Sequence, residues 1–265
     1  KKARKALQRA AKKAGKRLSP WARDVLRASA ERAASIGRVH HRAAWFTTGM
    51  REIDCVFGEV GVPRGALILL RGRPGAGKTT LCLQLAATIA EVNQVDAVYA
   101  SGSETRADLV RLAARIARLS TRTRIVAYDG LLDEEIDEIL AMNPALLVVD
   151  SLQLVGPTEE DFGTGAAMCV ALLRLSGYAR LTNSCVIVIA HTDADGKIKQ
   201  ISDSDAARIN YAIDVDATLD IVEQGADGSG PQLRRLSVSS KNRFGHVGAS
   251  ARLKMTERGF VEDSA

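Results

Sequence analysis

The stretch "RGRPGAGKTT", residues 71–80, places three glycines and a proline after the apolar run "ALILL" (66–70) and ahead of a lysine and two threonines. Such a stretch is poor helix and poor strand, because each glycine costs roughly 1 kcal/mol of backbone entropy when held in a helix. A bound phosphate would offset that cost. Gly72-Arg73-Pro74-Gly75-Ala76-Gly77-Lys78-Thr79 fits the pattern G-x-x-x-x-G-K-[ST] between a predicted strand and a predicted helix. In that setting the glycines let the backbone curl until several N–H groups point inward at a helix N-terminus, a nest for anionic oxygens. The loop from Gly72 to Thr80 is the candidate cradle. Lys78 is expected to reach the β- and γ-phosphates of ATP, and Thr79 to offer a hydroxyl ligand to Mg²⁺.

Outward from this loop, short apolar runs alternate with helical stretches. The runs read as strands are 66–70 "ALILL", 96–100 "DAVYA", 124–128 "RIVAY", 145–149 "ALLVV" and 185–190 "CVIVIA", with helices predicted at about 78–91, 105–118, 132–142 and 164–182. The strands are continuously hydrophobic, as burial on both faces requires. Strand–helix alternation of this kind predicts an α/β fold, a mostly parallel sheet flanked by helices. After residue 215 the pattern turns to "ATLDIVEQ", "QLRRLSVSSK" and "ASARLKMTE", with Gly-rich turns at 225–230 and 245–248. These predict C-terminal antiparallel strands that extend one edge. With 4% aromatic residues, the core is expected to be built from Leu, Val, Ile and Ala.

The 265 residues are 46% apolar and 26% charged, a globular composition. No run of about 18 apolar residues occurs, so no membrane contact is expected, and the absence of a secretory pattern points to a cytoplasmic setting. Cys55, Cys82, Cys169 and Cys185 are widely spaced with no C-x-x-C pair, which favours small buried side chains over zinc or disulfides. Charge is uneven. Residues 1–43 hold 14 Lys/Arg against Asp24 and Glu31, a net +12 within a whole-chain charge of +6, so the remainder is net acidic. A block this basic is either a contact for nucleic acid or an acidic partner, or a solvated arm. Within it, "LSPWARDVLRASAERAASIG" predicts a helix with Ser19 as N-cap, Pro20 at the first position and Gly37 as terminator. The change of charge divides the chain into a basic helical N-terminal extension, 1–43, and a folded domain, 44–265.

Three further positions face the same chemistry. Asp150 closes "ALLVVD" at a strand tip, where a carboxylate on the magnesium side of the phosphates belongs. In "ASGSETRADL" (100–109), Glu104 is either the residue that positions an attacking water or an acid at a helix N-terminus, with Ser103 or Thr105 as the cap. His191 and Thr192 end the strand "VIVIA", where polar groups can sense a γ-phosphate; an inert hydrogen-bonded histidine is the alternative.

At "KNRFG", residues 241–245, the chain resembles the bacterial RadA (Sms) family, RecA-related ATPases of DNA recombination. The likeness includes "FTTGMREIDCVFG" (46–58), "GVPRGALILLRGRPGAGKTTL" (61–81), "VVDSLQLV" (148–155) and "LKMTERGF" (253–260) in the same order, about four-fifths of the chain. The resemblance implies a RecA-like P-loop NTPase core over 44–265 that hydrolyses ATP with Mg²⁺. It implies a homo-oligomeric ring, a hexamer by size, in which Lys241 and Arg243 act in trans on the nucleotide of the next subunit. Single-stranded DNA and a replication or recombination protein are the implied partners, and a nucleoid-associated location follows for a bacterial host.

The sequence departs from that family in places. RadA-like proteins usually show S-G-E-E-S after the second strand; here Ser101-Gly102-Ser103-Glu104-Thr105 puts serine where the first glutamate stands, so Glu104 substitutes or hydrolysis is slow. The family's four-cysteine zinc module and Lon-protease-like domain have no counterpart in these residues. The loop "GPTEEDFGTG" carries Glu159, Glu160 and Asp161 where a channel loop facing a phosphate backbone would be basic, and "DADGKIKQISDSDAAR" offers Lys197 and Lys199 among aspartates. Two readings follow. One is a DNA-binding ring ATPase, a translocase or helicase of recombination, repair or replication. The other is a KaiC-like regulatory or assembly ATPase that uses nucleotide as a conformational switch for a protein partner.

Overall fold

The structure is a computed structural model that describes residues 45–58, 60–116, 120–198, 201–223 and 232–263. The expectations for residues 1–43, for the turn at 225–230 and for Lys199 lie outside the described residues. The continuous apolar runs become buried strands: β3 (Leu67–Gly72), β4 (Ala97–Ser101), β5 (Thr123–Ala127), β7 (Leu146–Asp150) and β9 (Cys185–His191). With β10 (Val215–Glu223), β11 (Gln232–Asn242), β12 (Ala249–Thr256) and β13 (Gly259–Glu262) they form a nine-stranded sheet of order β13-β12-β11-β10-β3-β9-β7-β4-β5. From β10 to β5 every pairing is parallel, and from β10 to β13 every pairing is antiparallel. Two short pairs stand apart: β1 (Trp45–Phe46) with β2 (Val62–Pro63), and β6 (Leu131–Leu132) with β8 (Val155–Gly156).

The helices are α1 (Arg51–Phe57), α2 (Lys78–Asn93), α3 (Arg106–Ile116), α4 (Asp133–Ala141), α5 (Gly165–Thr182) and α6 (Asp203–Ala212). Strand and helix limits differ from the predicted ones by one or two residues, most tellingly in β3. It runs on through Arg71 and Gly72 because Gly72 pairs with His191 at the end of β9. The sequence reading did not find α1 or α6. α1 is only seven residues long, and it is held by Asp54, whose carboxylate accepts from the hydroxyls of Thr47 and Thr48 at 2.6 Å each and from the Thr48 N–H at 2.7 Å. α6 occupies the second half of what was expected to be one long loop. Ser202 caps it by accepting from the Asp205 N–H at 3.2 Å, and Asp203 and Asp205 in its first turn suit the positive end of the helix dipole.

The core is aliphatic as expected. Ile68 and Leu70 of β3, Val148 of β7 and Ile187 of β9 pack with Leu81, Leu85 and Ile89 of α2. Cys82, Cys169 and Cys185, which fall inside predicted helices or strands, are buried thiols, and Cys55 on α1 is exposed. Leu146 stands at 0% exposure in a strand with neighbours on both sides. Leu146→Ala is expected to cost about 2–5 kcal/mol of unfolding free energy in urea titrations; a loss below about 1 kcal/mol would contradict this packing.

Candidate active site

The loop between β3 and α2 takes its shape from two glycines. A Cβ at Gly72 would lie 2.5 Å from the carbonyl oxygen of Leu219 on β10, so only glycine allows that strand to approach. Gly77, the N-cap of α2, sits at φ +94°, and a Cβ there would lie 2.8 Å from the Phe260 ring. No side chain caps α2 and no acid stands in its first turn. Its leading N–H groups and partial positive charge are therefore left for an anion. Arg73, Pro74 and Gly75 are exposed on the rim while Ala76 and Thr80 are buried, and the Arg73 guanidinium donates to the carbonyl oxygen of Ala194.

Lys78 is 4% exposed, and its ammonium donates to the carbonyl oxygens of Gly72 at 2.7 Å and Arg73 at 3.0 Å. Burial lowers its pKa from 10.5 to about 8, against the opposing pull of Asp150. One turn of chemistry away, Asp150 Oδ2 accepts from the Thr79 hydroxyl at 2.8 Å and from the Tyr99 hydroxyl at 2.7 Å. Thr79 and Asp150 are thus brought together as the sequence suggested. Their oxygen-only donor set fits Mg²⁺, which takes one or two protein oxygens and completes its shell with phosphates and water. Among the described residues no cluster of three or more His, Cys, Asp or Glu offers another metal site. A cis peptide bond joins Asp150 to Ser151.

Glu104 lies between the strand and α3. Its N–H donates to Ser101 Oγ at 3.2 Å, and burial, then the negative charges of Asp150 and Asp108, raises its carboxyl pKa. The cap of α3 is Thr105, whose hydroxyl oxygen accepts from the Asp108 N–H at 3.2 Å. Ser103 is exposed. His191 is half-buried level with Gly72, and Gln153 clamps its backbone: the His191 N–H donates to Gln153 Oε1 at 3.2 Å and Gln153 Nε2 donates to the His191 carbonyl at 3.1 Å.

Lys241 and Arg243 are not at this end of the sheet. The Arg243 guanidinium donates to Asp214 Oδ1 at 2.7 Å, and Asp214 exchanges hydrogen bonds with Leu67 at the start of β3. Five residue steps along β3 separate Leu67 from Gly72, about 16 Å at ~3.3 Å per residue. Lys241 lies opposite Asp216, level with Leu69, and its ammonium donates to the Asn210 carbonyl oxygen. Burial, then the charge of Arg243, lowers its pKa. Neither cation can reach the phosphate loop of its own chain.

Sequence reasoning missed Tyr99 and Asp214. Tyr99 carried a signal, because a tyrosine inside a fully apolar strand must find a partner for its hydroxyl. Asp214 gave none. It holds Arg180 at 2.9 Å as well as Arg243, so a buried carboxylate gathers cations from α5 and from the end of β11.

The desolvation of Lys78 has a pH signature. Below about pH 8 the amine is protonated in folded and unfolded chains alike. Between about pH 8 and 10.5 only the unfolded chain holds the proton, so ligand-free stability rises with pH by up to about 1.4 kcal/mol per unit. The stability of wild type relative to Lys78→Met in urea is expected to improve from about pH 8 to 9.5. A difference that stays flat would mean the ammonium is hydrated.

A family model described as an AAA domain matches residues 57–197. The DNA repair protein RadA of Salmonella typhimurium is 31% identical over 225 residues, 83% of this chain and 45% of that protein. RadA of Escherichia coli is 30% identical over 83% of this chain and 45% of its own length. RadA of Mycobacterium tuberculosis H37Rv is 31% identical over 77% of this chain and 40% of that protein. The chain spans less than half the length of these curated relatives. The chain belongs to the AAA-domain family, and with its likeness to these relatives it is a RadA-like ATPase core of the RecA superfamily.

Proposed function

We propose that the chain hydrolyses ATP to ADP and phosphate as one subunit of a ring, most simply a hexamer, acting on DNA in repair or recombination. The observation that carries this reading is the sheet register, which puts the phosphate loop at one end of β3 and Arg243 at the other. A site assembled from both needs two copies. Lys78 and the amides of residues 72–80 bind the phosphates, and Thr79 with Asp150 would hold Mg²⁺, which when bound draws charge off the phosphate oxygens. Tyr99 fixes the carboxylate of Asp150. Glu104, its pKa raised by burial and then by that carboxylate, orients the attacking water, and His191 senses the γ-phosphate from the neighbouring strand tip. Lys241 and Arg243 of the adjacent copy meet the charge that develops on the transferring group.

DNA enters this reading from the printed description of the relatives as DNA repair proteins. The basic block 1–43, taken as an extension separate from the domain 44–265, supplies the charge for it, together with Lys197, which is exposed. Translocase or helicase work on single-stranded DNA, in the cytoplasm and on the nucleoid, follows. Among the described residues no helix is long and apolar enough to cross a membrane. The alternative, a regulatory ATPase that grips a protein, is favoured by one observation: Glu159 and Glu160 are exposed in the loop after β8. Single-stranded DNA raises the hydrolysis rate under the first reading, with an effect that fades as salt rises, and leaves it unchanged under the second.

Arg243→Ala is expected to lower kcat by about 10³-fold or more, the usual worth of such a cation, and Lys78→Ala to abolish turnover. Mixing the two inactive variants should restore a measurable fraction of activity, because an interface whose loop comes from the arginine variant and whose arginine comes from the lysine variant is intact. Failure of the mixture to recover, with both variants folded, would rule out a shared site.

A further inference from the structure

A second buried cation lies behind the phosphate loop. Arg234, on β11, is 2% exposed, and its Nε–H donates to the carbonyl oxygen of Ala76 at 3.1 Å. Its remaining bonds run to the carbonyl oxygen of Leu233 at 3.1 Å and to Gln232 Oε1 at 3.3 Å. Every acceptor is neutral, and among the described residues no carboxylate stands within ion-pair distance of it. The contrast with the next residue is informative: Arg235 points to the other face and meets Asp220 at 3.9 Å. Burying an unpaired charge is costly, and a guanidinium keeps its proton when buried. A counter-charge can act on it only from farther off.

The geometry says where. In a planar trans peptide the C=O and the following N–H point in opposite directions. A donor fixed to the outward carbonyl of Ala76 therefore turns the Gly77 N–H toward the inside of the loop. The strands that hold Arg234 are themselves fixed to α2. The Gln84 side chain bonds both main-chain groups of Phe260, Nε2 donating to its carbonyl and Oε1 accepting its N–H, each at 2.8 Å. Phe260 and Met255 back onto Gly77.

We propose that Arg234 is a positioning residue for the nucleotide: it sets the Ala76–Gly77 peptide so that its amide faces the phosphates, and those phosphates are its counter-charge across a thin wall of backbone. This rests on the nucleotide reading above and extends it to the C-terminal strands. In a low-dielectric setting such a cation acts through the loop without touching the ligand.

Titration with fluorescent ADP and ATP analogues plus Mg²⁺ tests it, on the wild-type chain, Lys78→Ala, Arg234→Met and Arg234→Lys, with folding followed by circular dichroism. Arg234→Met is expected to weaken both analogues tenfold or more, and Arg234→Lys to stay within about threefold of wild type. A loss below threefold in Arg234→Met, or an Arg234→Lys as weak as the methionine variant, would overturn the proposal. Should Arg234→Met fail to fold, Arg234→Gln, which keeps a donor without the charge, takes its place in the same comparison. If wild type binds no analogue, or Lys78→Ala binds as wild type does, the nucleotide reading itself fails and Arg234 falls with it. If Lys78→Ala loses binding while Arg234→Met keeps it, only the role of Arg234 is lost.

Discussion

One carboxylate oxygen holds the candidate site together. Asp150 Oδ2 accepts from Thr79 on α2 and Tyr99 on β4, so a helix start and two strand ends meet at a single buried atom. The arrangement is economical in electrostatic terms. The negative charge sits near Lys78 and opposes the effect of burial, which lowers that lysine's pKa, and the hydroxyl donors satisfy the carboxylate without neutralising it. Loss of either donor would leave Asp150 free to rotate away from Thr79 or Tyr99.

The sheet explains why Lys241 and Arg243 lie elsewhere. Parallel strands put every C-terminal tip on one edge, and the loop, Asp150, Glu104 and His191 all gather there. β11 runs antiparallel to β10 and so returns its far end to the opposite edge, carrying Lys241 and Arg243 with it. Asp214 then gathers Arg180 and Arg243 about a buried oxygen, presenting clustered positive charge at the edge remote from the loop. The separation of the loop from Lys241 and Arg243 is a consequence of strand direction.

The antiparallel extension also serves the loop at its near end. Arg234, Met255 and Phe260 form a wall behind Ala76 and Gly77, and Gln84 prevents that wall from drifting. Strands added to a sheet edge usually cover apolar surface; here they also bring a cation to a backbone carbonyl.

By itself the sequence determined the strand-and-helix alternation, the phosphate loop and the pairing of Thr79 with Asp150. Each of these is written locally: apolar runs too long to be loops, glycines that only a curled backbone explains, and an acid at a strand tip. "KNRFG" marked Lys241 and Arg243, and the fold added that they stand at the wrong end to serve their own chain. The short helix α1 and the capped helix α6 escaped the reading because seven residues give too little periodicity and because Ser202 looked like one more loop residue. Tyr99 left only the hint of a hydroxyl in an apolar strand, and Asp214 and Arg234 belonged to the tertiary structure alone. Their roles depend on partners 51, 147 and 158 residues away in the chain, and hydrogen bonds that span such separations form only when the strand order and register bring the atoms within 3 Å or so of one another.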